Sequence, residues 1–235
     1  MNFGSITTPI ITDGLVFNMD AANRASYPRT GTIVTDTVSS TTGSIQGANF
    51  QNANSGIFNF DGTDDTILLD SNFGNGYSEI TLSCWVKIDV FQSSLEAMFG
   101  KDDNTRISGN FYFGIQKGSS SNSGNLRFLL LAPSQDALNS PANSLVTNTW
   151  YYSCCTWDGN NIAIYINGVL RSTSSTINAT GTLGSITDEF LIGQSGYTGS
   201  PYLNGKLGPI QIYNRALSAT EVLHNYNALK GRFGL

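Results

Sequence analysis

Hydrolysing a glycosidic bond takes two carboxyl groups facing one another across the sugar, and a strand supplies such a pair when acidic residues alternate along it. No strand-like run in this chain does so. The acidic pairs, Asp64-Asp65, Asp102-Asp103 and Asp188-Glu189, are adjacent in sequence and fall in predicted turns, where neighbouring side chains diverge. Nucleophilic catalysis on a Ser-His-Asp plan needs a histidine beside the nucleophile. The single histidine, His224, falls on a predicted helix, and there is no GxSxG elbow. The three cysteines, Cys84, Cys154 and Cys155, make no disulfide framework. Cys154 and Cys155 are neighbours on one predicted strand and point to opposite faces, so they cannot chelate one metal, and one of them is expected to join Cys84 in the core. These residues describe a protein that is not an enzyme.

Binding a sugar makes other demands: a flat aromatic ring beside amide and carboxylate groups, on loops that a scaffold presents together. The glycine-rich segment GQSGYTGSPYLNG supplies Tyr197, Tyr202 and Asn204. The strand around Tyr112 and the loop Asp102-Asp103-Asn104 are expected to share its rim.

Charge narrows the partners. A net charge of -5 with pI near 4.7 and no basic run argues against nucleic acid, whose binding needs clustered Lys and Arg to displace counterions. No apolar run approaches the roughly 18 residues of a membrane span. The first twenty residues lack a basic n-region and a continuous apolar h-region, so no secretory signal is read there.

The elements that must position these groups are strands. From Trp150 to Ser172, WYYSCCTWDGNNIAIYINGVLRS reads as a three-stranded meander, with a turn at Asp158 to Asn161 and a two-residue type I′ turn at Asn167-Gly168. Ile80 to Ile88 alternates Leu82, Cys84, Val86 and Ile88 against Thr81, Ser83, Trp85 and Lys87, as for a strand with one face on a core. More than ten short strands with no βαβ rhythm predict an all-β, two-sheet antiparallel sandwich. One helix is expected over 218–230. Ser218 and Glu221 form a capping box, Leu217 and Val222 a hydrophobic staple, Val222, Leu223, Tyr226 and Leu229 an apolar stripe, and Gly231 an αL stop. Residues 1–13 read as an N-terminal arm and 14–235 as one domain that includes this helix. Phe3, Ile10 and Ile11 at one end, with Phe233 and Leu235 at the other, are expected to lie outside the sandwich and to join copies into a homo-oligomer.

The W…TWDG strand running into YING resembles the signature of the laminin G-like, concanavalin A-like lectin and glucanase jelly-roll superfamily. GLVFNMDAANRASYPRTGT, FNFDGTDDTILL and the closing stretch from Phe190 to Leu235 resemble the openings and closings of the variants found in tailed-bacteriophage structural proteins. The pattern departs at Arg29, where glycine is usual, and at Asp36-Thr37-Val38-Ser39, where DLSG is common. The resemblance implies a concanavalin A-like jelly roll used as a virion structural protein: a head decoration, head fibre or tail-associated adhesin. Such a protein is assembled in the host cytoplasm, displayed on the virion exterior beside capsid or tail proteins, and able to meet host surface polysaccharide. The alternatives are a glycan-binding module of a bacterial surface protein and, third, a glycan-cleaving enzyme. No cofactor is required. Relatives also imply calcium at the loop rim, for which Asp20, Asp61 and Asp64, with the Asp102-Asp103-Asn104 loop, are the candidate ligands, against the plainer reading of Asp and Asn as turn caps.

Overall fold

In a computed structural model of the chain, the residues described are 8–69, 73–92, 95–102, 107–118, 120, 122–175, 177–196 and 201–235. They form two antiparallel sheets. The first runs β15 (Val169–Ser174), β14 (Ile162–Ile166), β13 (Trp150–Trp157), β7 (Ile80–Ile88), β17 (Asn204–Tyr213), β5 (Ile57–Asp61), β4 (Asn49–Gln51), with β1 (Leu15–Met19) paired to β17. The second runs β11 (Gln135–Asn139), β10 (Ser123–Leu131), β9 (Phe111–Lys117), β8 (Glu96–Lys101), β16 (Phe190–Ile192), β6 (Thr66–Leu69), β3 (Thr42–Gln46), β2 (Ile33–Thr35), with β12 (Leu145–Val146) paired to β10. This is the two-sheet jelly roll that the strand pattern predicts. Asn167 and Gly168 both take positive φ, 53° and 76°, as a type I′ turn requires.

The main core fills the space between the sheets. Phe17, Phe73, Phe99, Phe113 and Phe190 meet there with Cys84 and Cys155, while Cys154 turns to the far side of the first sheet, as the alternation requires. Burial pushes all three thiols up.

A second cluster covers that far side, and here the structure corrects two expectations about the helix. Trp85, on the face away from the main core, is buried with Tyr152, Tyr213, Leu217, Val222 and Phe233 beneath α1 (Ala219–Leu229). The capping box is present in full, with Ser218 Oγ accepting from Glu221 N–H and the Glu221 carboxylate from Ser218 N–H. The stripe, however, is rotated. Leu223 is 43% exposed, while Asn225 is buried, accepting from Ile11 N–H at 2.8 Å and donating to Tyr213 Oη at 2.9 Å. A polar residue wins the inward position because it satisfies two buried partners. The stop also differs. A 3-10 turn, Lys230–Phe233, follows the helix and Gly234, not Gly231, takes the left-handed conformation at φ 75°.

That extra turn changes the role of the chain ends. Phe233 stacks on Trp85, with centroids 4.1 Å apart and planes 10° from parallel. Arg232 clasps Asp20 with both terminal nitrogens, at 2.7 and 2.9 Å. Ile11 packs on the second cluster, Tyr213 Oη donates to its carbonyl at 3.0 Å, and His224 Nε2 donates to Pro9 O at 2.9 Å. Pro9, Ile11, Arg232 and Phe233 are therefore docked on their own domain, and among the described residues the apolar groups invoked for association reduce to the partly buried Ile10 and the exposed Leu235. Phe3 lies outside the described residues.

The departures noted in the opening segment have local reasons. Arg29 adopts φ 72° despite its side chain, and its guanidinium bonds Asn52 Oδ1 and Ser55 O, each at 3.0 Å. Buried Asp36 accepts from the N–H groups of Asn18, Val38 and Ser39, holding its loop against β1.

Candidate functional site

Along β14 every second side chain faces the core, so Asn161, Ala163 and Tyr165 share the opposite face. Ala163 lies in register with Thr156 of β13 and Thr173 of β15, which makes a low floor of small side chains between hydroxyl-bearing walls. The register shift between Ile164 and Tyr165 brings Tyr165 opposite Leu170. The Tyr165 ring closes one end and is only 7% exposed. Burial and the nearby Cys154 raise its pKa, although a hydrogen bond with Thr156 opposes this, so it presents a neutral phenol.

The Asp158 turn closes the other end. Its carboxylate accepts from Asn160 N–H at 2.9 Å, Asn161 N–H at 2.6 Å and Asn161 Nδ2 at 2.9 Å. Burial works against the charge, but the bonds from the Asn161 side chain and the two backbone amides outweigh it and hold the carboxyl below its ordinary range. The long wall is the segment entering α1. Thr81 Oγ1 donates to Arg215 O and accepts from Leu217 N–H, Glu79 accepts from Ala216 N–H at 3.0 Å, and Arg215 grips Glu221 with two bonds of 3.0 and 2.6 Å. That grip, reinforced by Ser218, pulls the Glu221 carboxyl down to about 2. Together these residues enclose an open groove of about 580 Å3, within the roughly 300 to 1,000 Å3 common for small-molecule sites.

The described residues among those singled out from sequence lie elsewhere. Asp102, 3% exposed, lines a smaller depression of about 340 Å3 on the outer side of the second sheet with Thr187, Asp188, Glu189, Leu191 and Gly196. Across strands the structure thus gathers acids from two pairs that had been treated separately. Asn110 Nδ2 donates to Asp188 at 3.1 Å, and Lys101, buried beneath, donates to Ile186 O. Tyr112 is no platform. It is 3% exposed, packed with Ala97, Leu129 and Leu131, and its hydroxyl accepts from Arg127 Nε at 3.0 Å. Tyr202 is half-buried, and Asn204 commits its amide to Asp61 O at 3.0 Å. Tyr197, Asp103 and Asn104 lie outside the described residues.

The proposed calcium ligands also separate. Asp20 is taken by Arg232 and by Ala22 N–H, so it cannot serve. Asp61 and Asp64 do meet, joined by Asp65, with ligand atoms within 4.8 Å of one another. Asp65 is raised by burial and by its two acidic neighbours. Asp61 also caps Thr63 N–H and Asp65 caps Asp61 N–H, the turn-cap role that Asp commonly takes.

The groove was missed from sequence. Its signal was the two-residue period of Asn161, Ala163 and Tyr165, but the partners that complete it come from β13, β15 and the helix entry.

A solved structure of domain 4 of AbnA, a GH43 extracellular arabinanase from Geobacillus stearothermophilus, in complex with arabinotriose, is similar over 92% of this chain and 98% of that one, at 15% identity and TM-score 0.67. The binding domain of botulinum neurotoxin DC in complex with rat synaptotagmin II aligns over 93% of this chain and 52% of that one, at 19% identity and TM-score 0.69. The serotype D ligand-binding domain in complex with N-acetylneuraminic acid aligns over 92% and 51%, at 15% identity and TM-score 0.67. The chain spans about half the length of these toxin domains. At such identities the likeness is one of fold. No curated protein sequence matches the chain. The family description that matches is that of the concanavalin A-like lectin/glucanases superfamily, over residues 60–223. The chain belongs to that superfamily.

Proposed function

We propose that the chain is a non-enzymatic saccharide-binding domain whose site is the groove over β14, and that it serves on the exterior of a tailed-bacteriophage particle, where it meets host surface polysaccharide. The observation that carries the binding reading is the juxtaposition in one groove of an aromatic ring, two threonine hydroxyls, an amide and carboxylates over the small floor at Ala163. Carboxylates accept sugar hydroxyl protons, Asn161 and the threonines both donate and accept, and a shallow floor admits a flat pyranose or furanose face. The non-enzymatic part is supported by two of the groove's carboxylates: a glycosidase needs one carboxylic acid that keeps its proton, and hydrogen bonds hold Asp158 and Glu221 in the charged form. The virion setting is supported by the resemblance of the opening and closing segments to tailed-phage structural proteins. Mass spectrometry of purified particles, which should contain the chain, tests it.

The binding experiment is a screen of neutral and charged oligosaccharides followed by titration calorimetry of the hits on the parent chain and on Thr173→Arg. Thr173 is exposed on an edge strand, so the arginine fills the groove without entering the core. Loss of at least ten-fold in affinity with an unchanged melting temperature is expected. Unchanged affinity in Thr173→Arg would remove the groove as the site.

A further inference from the structure

We infer that the groove takes a saccharide bearing a free, positively charged amino group and turns away carboxylated and sulfated sugars. This rests on the reading of the groove as a saccharide site and adds the class of sugar. The charges lining it are Glu79, Asp158, Glu221 and Arg215, and they are not equally available. Both terminal nitrogens of Arg215 bond the Glu221 carboxylate, and its Nε bonds Asp13 O at 3.1 Å and lies 2.9 Å from Asp13 Oδ2. The one cation of the wall thus faces two anions of its own chain and has no edge left for a ligand carboxylate. Glu221 is closed in turn by Arg215 and by the N–H and hydroxyl of Ser218. A helix N-terminus ordinarily favours anions, but here this carboxylate already occupies it.

What remains is Glu79 and Asp158. Neither is paired with a cation among the described residues. They share one end of the groove, because the loops that carry them touch: a Cβ on Gly159 would stand 3.1 Å from Ser78 O. One Glu79 oxygen holds Ala216 N–H, which leaves the other as an acceptor. Two carboxylates that lack a cation partner, Glu79 with one oxygen on Ala216 N–H and Asp158 with Oδ1 capped by the Asn160 and Asn161 amides and Oδ2 accepting from Asn161 Nδ2, suit, beside hydroxyl-bearing walls, a ligand with hydroxyls along its length and an ammonium at one end. An acidic sugar would set like charges together, and the groove's lining cation, Arg215, is already paired with Glu221 and Asp13.

The test is calorimetry with three probes: glucosamine oligomers, their N-acetylated counterparts of equal length, and a sialylated oligosaccharide. Glucosamine oligomers are expected to bind about ten-fold more tightly than the acetylated ones, the scale of one hydrogen bond to a charged partner. The advantage should shrink in Glu79→Gln and with added salt, and the sialylated probe should not bind. Equal affinity for amino and acetylated oligomers, or Thr173→Arg-sensitive binding of the sialylated probe, overturns the inference while leaving a saccharide site in place. If no saccharide in the wider screen binds in a Thr173→Arg-sensitive way, the underlying reading falls and the inference with it.

Discussion

Phe233→Ala should destabilise the whole domain, although only Gly234 and Leu235 follow it in the sequence. Its ring is 5% exposed, lies 4.1 Å from Trp85 and 4.7 Å from Trp150 by centroid, and rests over Gly208, where a Cβ would meet it at 2.8 Å. Removing a buried Phe side chain costs about 3 to 5 kcal/mol, and a site near a chain end can partly collapse, so the lower figure applies. At about 2 to 4 °C per kcal/mol for a domain of this size, a loss of about 3 kcal/mol lowers the melting temperature by roughly 6 to 12 °C. The same change uncovers Trp85, so tryptophan emission of the folded protein should move to longer wavelength. Differential scanning calorimetry and fluorescence on one sample give both numbers. A fall of less than about 2 °C with unchanged emission would show that the C-terminal turn does not dock, and with it the burial of Trp85 would be wrong.

Two further expectations concern the helix entry. Ser218→Ala removes the N-cap acceptor at a cost of about 1 kcal/mol, and the melting temperature should fall by about 2 to 4 °C; no change would show that the capping box contributes nothing. Glu221 is held by Arg215 near a pKa of about 2 against an ordinary 4.5. A depressed folded pKa gives stability that is present above the unfolded value and lost as pH falls through the folded one. Denaturant midpoints should therefore drop between pH 4.5 and 2, and Glu221→Gln should flatten that slope. An identical slope in the variant would contradict the pairing.

The features read correctly from sequence are those set by a few adjacent residues. Asn167-Gly168 demands two positive φ angles wherever the hairpin sits, and Ser218 with Glu221 caps a helix whatever it packs on. Opposite faces for Cys154 and Cys155 follow from strand alternation alone. The features that escaped depend on partners far along the chain. Asn225 displaces Leu223 from the inner face because Ile11 and Tyr213 are waiting there for a polar group. Asp20 left the set of metal ligands because Arg232, 212 residues away, reaches it. The groove needs Thr156, Ala163 and Thr173 aligned across three strands, and that register is a property of the sheet rather than of any one run. Tyr112 is expected at the rim beside the Asp102 loop, and nothing in its own strand says that Leu129 and Leu131 will pack around it.

The central claim is that a saccharide sits over β14, and backbone amide shift mapping of the isotopically labelled chain, titrated with the tightest oligosaccharide from the screen, tests it most directly. The account predicts that the perturbed amides cluster at Thr156, Asn161, Ala163, Tyr165 and Thr173 and at the helix entry around Ala216. Perturbations confined to Asp102, Asp188, Glu189 and Leu191 on the opposite sheet would contradict it and place the site in the acidic depression instead.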